Sequence, residues 1–246
     1  MKYLILLMIT QLLLLASANE GEALFKQGVE ASKQKDFKQA RKLFESACEM
    51  KSANGCLALG SIYSRKEGTS NSAKAKKFLS QACELESANG CFMLATTHLK
   101  GEEASRDYSE AKALFNKACA LGSSDGCYAL GVMYDRGKEI PQDHASAEKM
   151  YKKACTLGSA RGCFTRGTIY YHAKGTAQDF ATAKEMYEKA CDLGFGEGCY
   201  NLAVMNENGD GIRRDIFGAK DLYSKACSLG YKTGCTKYTD LGVKGF

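Results

Sequence analysis

Residues 154–163 read ACTLGSARGC. Cys155 and Cys163 stand eight positions apart, with Leu-Gly between them and Gly162 directly before the second. The same frame recurs as ACEMKSANGC (47–56), ACELESANGC (82–91), ACALGSSDGC (118–127), ACDLGFGEGC (190–199) and ACSLGYKTGC (226–235). All 12 cysteines fall in it. The first cysteines are Cys48, Cys83, Cys119, Cys155, Cys191 and Cys227, a spacing of 35 and then 36 four times. The second cysteines are Cys56, Cys91, Cys127, Cys163, Cys199 and Cys235. A fixed period of this size marks an array of stacked supersecondary units.

Working back from each first cysteine, small residues and one large residue recur as Ala40/Phe44/Ala47, Ala75/Leu79/Ala82, Ala111/Phe115/Ala118, Ala147/Tyr151/Ala154, Ala183/Tyr187/Ala190 and Ala219/Tyr223/Ala226. Steps of four and three put them on one stripe of a helix, here called B. Four residues ahead of each first alanine stands Asp36, Asn71, Asp107, Asp143, Asp179 or Asp215, all strong N-cap types. Gly122, Gly158, Gly194 and Gly230 stop four of the B helices as C′ glycines do, with Lys51 and Glu86 in that place in the first two copies. Ser52, Ser87, Ser123 and Ser159 then suit the cap of a second helix, A; Phe195 and Tyr231 take the place later and leave its capping open.

Working forward, helix A reads CLALGSIY, CFMLATTH, CYALGVMY, CFTRGTIY and CYNLAVMN. Leucine stands three places after the cysteine (Leu59, Leu94, Leu130, Leu202), Gly or Ala at the fourth and Tyr at the seventh (Tyr63, Tyr134, Tyr170). His98 and Asn206 break the seventh place and Arg166 the third, as drift or as the mark of a site. The pattern predicts an all-α right-handed solenoid of helix pairs. Each first cysteine falls in the last turn of B and each second in the first turn of the next A, so the two face each other across a short turn. Glycine before the second cysteine leaves room where the backbones approach.

The chain begins MKYLILLMITQLLLLASANE. A basic Lys2, an apolar run from Tyr3 to Leu15 and the small Ala16-Ser17-Ala18 read as a secretory signal cut near Ala18. The run is shorter than the roughly 20 residues of a membrane span. Export and an even cysteine count favour six disulfides: Cys48–Cys56, Cys83–Cys91, Cys119–Cys127, Cys155–Cys163, Cys191–Cys199 and Cys227–Cys235. Zinc is the competing reading, but its cysteines usually come two to four apart, and His98, His144 and His172 lie in different repeats. No metal or cofactor is expected. The formal charge of +6 is interleaved with acids, so no nucleic-acid stripe stands out. With one proline and no domain break in sight, residues 19–246 read as one monomeric solenoid: a first repeat over 22–56, 36-residue units over 57–235 and a capping helix over 236–246.

Leu-Gly-x2-Tyr in A with Ala-x3-Tyr-x2-Ala in B resembles Sel-one-like repeats, longer relatives of tetratricopeptide repeats, and 23–47 resembles a plain tetratricopeptide unit. Joined to a Cys-x7-Cys in every unit, the pattern resembles the Helicobacter cysteine-rich proteins over nearly all of 22–243. That resemblance implies an extracellular or periplasmic solenoid with one disulfide per unit, and a penicillin-binding or β-lactamase activity.

The residues do not display that chemistry. Ser-x-x-Lys occurs at Ser32/Lys35, Ser109/Lys112 and Ser146/Lys149, and Lys-Thr-Gly at 232–234, but Ser-Asp-Asn is missing and chance accounts for such short matches. No catalytic residue is assigned. A binding groove is the other expectation, because A helices line the inner face of such arrays. Places −2, +1, +5 and +8 from the second cysteine share one side. They give the candidates Asn54, Asn89 and Asp125, the aromatic row Phe92, Tyr128, Phe164 and Tyr200, and Tyr171. An extended protein segment or a peptidoglycan stem peptide is the expected ligand, with penicillins as its mimics. The aromatic row reads equally well as core between repeats.

Overall fold

The computed structural model describes residues 19–65, 69–99, 106–137, 140–172 and 179–243, so the signal segment at 1–18 lies outside the described residues. Among the described residues there are thirteen helices and no strand. They are α1 (19–33), α2 (Phe37–Glu49), α3 (Ala53–Ser64), α4 (Thr69–Glu84), α5 (Ala88–His98), α6 (Tyr108–Ala120), α7 (Ser124–Arg136), α8 (His144–Thr156), α9 (Ala160–Tyr171), α10 (Phe180–Asp192), α11 (Gly196–Asn208), α12 (Ile216–Ser228) and α13 (Lys232–Val243). Even numbers are B helices and odd numbers A helices. The chain forms two compact units, one ending at Ser123 and one beginning at Ser124. Within each unit every helix packs on its neighbours in sequence, and A helices also touch the next A helix, α3 with α5, α7 with α9 and α11 with α13. The expected class, an all-α array of helix-pair repeats with one disulfide per repeat, is the observed one.

The alanine stripe is the core. All of its members, from Ala40, Phe44 and Ala47 to Ala219, Tyr223 and Ala226, are buried. Small residues of the A helix let the large B residue in. A Cβ added at Gly28, Gly60, Gly131 or Gly167 would sit 2.6, 2.5, 2.7 or 2.7 Å from Phe44, Leu79, Tyr151 or Tyr187. Leu59, Leu94, Leu130 and Leu202 fill the space beside these pairs.

One turn joins B to the next A in every copy. The amides of Ser52, Ser87, Ser123, Ser159, Phe195 and Tyr231 donate to the carbonyls of Ala47, Ala82, Ala118, Ala154, Ala190 and Ala226. The preceding residue donates to the first cysteine's carbonyl, which completes a Schellman motif. The motif needs a left-handed residue at C′, and Gly122, Gly158, Gly194 and Gly230 supply it with φ between 82° and 94°. Lys51 and Glu86 adopt the same conformation at φ 61°. A side chain there crowds the carbonyl that follows. Lys51→Gly is therefore expected to raise stability by about 0.5–1 kcal/mol, read as a higher urea midpoint with unchanged slope.

The turn carries the cysteines together. Cys48–Cys56, Cys83–Cys91, Cys155–Cys163, Cys191–Cys199 and Cys227–Cys235 are bonded with Cα atoms 4.5–4.6 Å apart. Cys119 and Cys127 are disulfide-bonded as well, and no free cysteine occurs among the described residues. Cys56, Cys91, Cys127, Cys163 and Cys199 are fully buried under the helix start, whereas Cys227 and Cys235 of the last pair are half-buried. The glycine before the second cysteine has its reason here. A Cβ at Gly55, Gly90, Gly162, Gly198 or Gly234 would lie 2.7–2.8 Å from the Cβ of the alanine before the first cysteine.

Asp36, Asp107, Asp143, Asp179 and Asp215 cap their helices as expected, accepting from the amide three residues on. Bonds from Ser146 and Thr182 hold the Asp143 and Asp179 carboxyls below the usual range. Asn71 differs: α4 starts at Thr69, so Asn71 lies inside the helix. Asp107, Asp143, Asp179 and Asp215 also donate their own amides to the carbonyls of His98, Tyr134, Tyr170 and Asn206, the residues seven places after the cysteine of the preceding A helix. A main-chain atom closes that loop. The seventh place therefore accepts His98 and Asn206 in place of tyrosine.

Candidate ligand-binding face

The aromatic row is neither free surface nor full core. Phe92 in the first unit, and Tyr128, Phe164 and Tyr200 in the second, are each half-buried. Each rests on the buried ring of the B helix that follows: Phe92 on Phe115, Tyr128 on Tyr151, Phe164 on Tyr187 and Tyr200 on Tyr223, at 5.7, 5.7, 5.8 and 5.3 Å between centroids. The buried partner sets the tilt of the row. Phe195 and Tyr231 stand where serine caps the other A helices, and Phe195 makes no side-chain cap bond. Instead Phe195 lies 5.2 Å from Phe164, and Tyr231 lies 5.2 Å from Tyr200. These two residues exchange a capping hydrogen bond for an aromatic contact to the preceding A helix. That thickens the row at its C-terminal end, a contact the sequence did not reveal.

Asn54, Asn89 and Asp125 are exposed at the starts of α3, α5 and α7. Asn54 donates through Nδ2 to Glu22 of α1 at 3.2 Å, and Ser52 donates to the same carboxylate at 3.2 Å. Glu22 holds the matching −2 place of the first A helix. Neighbouring −2 residues thus reach each other directly, a contact hidden in the sequence because α1 lacks the cysteine that defines the frame.

Tyr171 sits away from the row, at the far end of α9. Its ring packs edge-on against Phe180, and its hydroxyl donates to Asp210 at 2.6 Å. Desolvation, then the bond to Asp210, push its pKa up to about 12. Tyr171 ties down the loop after α11. Tyr223 does similar work, donating to Glu207 at 2.6 Å beside Lys237.

Arg166, the break at the third place, is largely buried and takes the spot that leucine fills elsewhere. Its Nε donates to Glu148 at 2.8 Å, Tyr170 donates to the same oxygen at 3.2 Å, and the guanidinium lies 5.4 Å from the Tyr170 ring. Burial works against its charge, but the bond it donates to Glu148 and its bond with Tyr170 outweigh that and hold the pKa above the ordinary value.

The Ser-x-x-Lys matches do not assemble a nucleophile. Ser146 donates to its own cap, Asp143, at 2.6 Å. Ser109 is exposed in the first turn of α6, and Lys35 occupies the turn after α1 at φ 64°. Lys232 and Thr233 are exposed at the start of α13.

Against known families, six Sel1 repeats match, over residues 21–52, 53–87, 88–123, 124–159, 160–195 and 196–231. The chain belongs to the Sel1 repeat family. Within it, the chain is similar to the Hcp proteins of Helicobacter pylori. Beta-lactamase HcpA of Helicobacter pylori is 38% identical over 55 residues, 22% of each chain. HcpC of the same species is 46% identical over 41 residues, 17% of this chain and 14% of that protein. The matched segments thus span less than a quarter of these relatives. Among solved structures, c5321, described as a protective antigen of uropathogenic Escherichia coli with an SLR fold, has a TM-score of 0.78 at 22% identity, covering 92% of this chain and 50% of that one. A Sel1 repeat protein from Oxalobacter formigenes has a TM-score of 0.72 at 23% identity, covering 86% and 84%. These two likenesses concern the Sel1 fold alone. The molecule is a disulfide-stapled Sel1 scaffold. Its disulfides place it outside the reducing cytoplasm. No helix among the described residues is long and apolar enough to cross a membrane.

Proposed function

We propose that this protein is exported through its N-terminal segment, as a secreted or periplasmic monomer, and captures an extended peptide-like ligand along the A-helix face. The ligand is a protein segment or a peptidoglycan stem peptide. The observation that carries this is the row Tyr128, Phe164 and Tyr200, half-exposed rings repeated one per A helix and held at a fixed tilt by the buried Tyr151, Tyr187 and Tyr223. Aromatic side chains supply contact area at little conformational cost, because few torsions must be frozen. Asp125, exposed at the start of α7, offers a polar group to a peptide backbone.

The test is selection from a random-peptide library on the intact protein, with the winners re-measured on Tyr128→Ala/Phe164→Ala. Loss of binding with an unchanged helical circular dichroism spectrum is the expected result. Equal binding to both proteins places the ligand elsewhere, and collapse of the spectrum makes the rings core. β-Lactam hydrolysis is the second reading. It is favoured by the name of HcpA but has no assigned nucleophile here, so the same preparation is expected to leave a chromogenic cephalosporin unturned.

A further inference from the structure

A second site of different chemistry lies in the C-terminal unit, formed by α8, α9 and α10. A cleft of about 560 Å³ opens there, within the size range of small-molecule sites. Lys152 and Thr156 border it from α8, Thr182, Glu185 and Lys189 from α10, and Arg166 from α9, with Met186 and Cys155 completing the lining. Arg166 sets its chemistry. At the equivalent position Leu59, Leu94, Leu130 and Leu202 bury an apolar side chain. Arginine cannot leave its charge in that apolar space, so the guanidinium turns to Glu148 and Met186, at 2.8 and 3.2 Å.

The charge balance of the cleft is positive. Glu148 answers Arg166, and Glu185 answers Lys189 at 2.7 Å. Among the described residues Lys152 has no carboxylate partner within ion-pair distance. A guanidinium has five N–H donors, more than its bonds with Glu148, Met186 and Tyr170 use. We propose that this cleft binds the anionic group of a small molecule, a carboxylate or a phosphate, between Lys152 and Lys189 above the Arg166 guanidinium. Arginine offers paired donors to such planar or tetrahedral oxyanions, while lysine serves as a point charge. The site does not use the aromatic row, so it stands or falls apart from the peptide reading.

The experiment is a ¹H–¹⁵N NMR titration of the intact protein at constant ionic strength, in two arms: inorganic phosphate, and N-acetylalanine as a peptide-type carboxylate. Saturable shifts at Thr156, Thr182, Lys189 and Arg166 Nε are expected in at least one arm, and the stronger arm identifies the source of the anion. Lys152→Ala, an exposed change, is expected to weaken binding about tenfold, the worth of one charge-assisted hydrogen bond. Arg166→Leu restores the side chain of the other repeats and is expected to abolish the shifts while the protein stays folded. Two results overturn the proposal: no saturable shift in either arm, or Lys152→Ala and folded Arg166→Leu both binding like the parent.

Discussion

Reduction of the intact protein with dithiothreitol, without alkylation, is expected to abolish its cooperative thermal transition at temperatures where the oxidised form is fully helical. Each bond closes a loop of about nine residues, and the loop-entropy account gives roughly 2–3 kcal/mol for each. A folded domain holds a net of only about 5–15 kcal/mol, so the bonds together are comparable to the whole margin. The loops are local, yet each ties the end of a B helix to the start of the next A helix, and A–B packing carries the entire core. A reduced protein melting within a few degrees of the oxidised one would show that the alanine stripe and its aromatic knobs suffice without sulfur. Circular dichroism at 222 nm reads the outcome directly.

Tyr187→Ala is expected to cost about 3–5 kcal/mol, the range for deleting a large buried ring. Tyr187 is 1% exposed, lies over Gly167, contacts Phe164 and Tyr171, and donates its hydroxyl to Thr168 at 3.3 Å. Truncation leaves a hole against glycine, which has no side chain to close it. The same change at Tyr171, half-exposed and at a helix end, is expected to cost less, because its main loss is the Asp210 bond. Urea unfolding of both variants gives the comparison, and equal costs would contradict the assignment of Tyr187 to the core. Phe164 rests on Tyr187, so this variant also disturbs the aromatic row from beneath.

The fold was legible because each determinant lies within one period. The alanine stripe, the C′ glycines, the aspartate caps and the glycine before the second cysteine all act on residues a few positions away or across one turn. What remained hidden acts between repeats or through the main chain. The contact of Phe195 with Phe164 spans 31 positions, and that of Asn54 with Glu22 spans 32, so neither follows from the motif of a single unit. His98 and Asn206 looked like breaks because their side chains depart from the pattern, while the seventh place works through its carbonyl. Arg166 was visible as an anomaly, but its partner Glu148 sits in an otherwise ordinary B helix, and only packing shows the cleft that Arg166 lines. The aromatic row was readable as either groove or core because each ring is half-buried against the buried ring of the next B helix.

The central claim is that consecutive helix pairs are stapled by the nearest two cysteines, eight positions apart. A tryptic digest under non-reducing conditions, analysed by mass spectrometry, tests it most directly. Cys83/Cys91, Cys119/Cys127 and Cys191/Cys199 have no tryptic site between them and are each expected in one peptide lacking two hydrogens. Cys48/Cys56, Cys155/Cys163 and Cys227/Cys235 are each expected as two peptides joined across the cuts at Lys51, Arg161 and Lys232. Peptides linking cysteines of different pairs, or cysteines open to alkylation before reduction, would contradict the account.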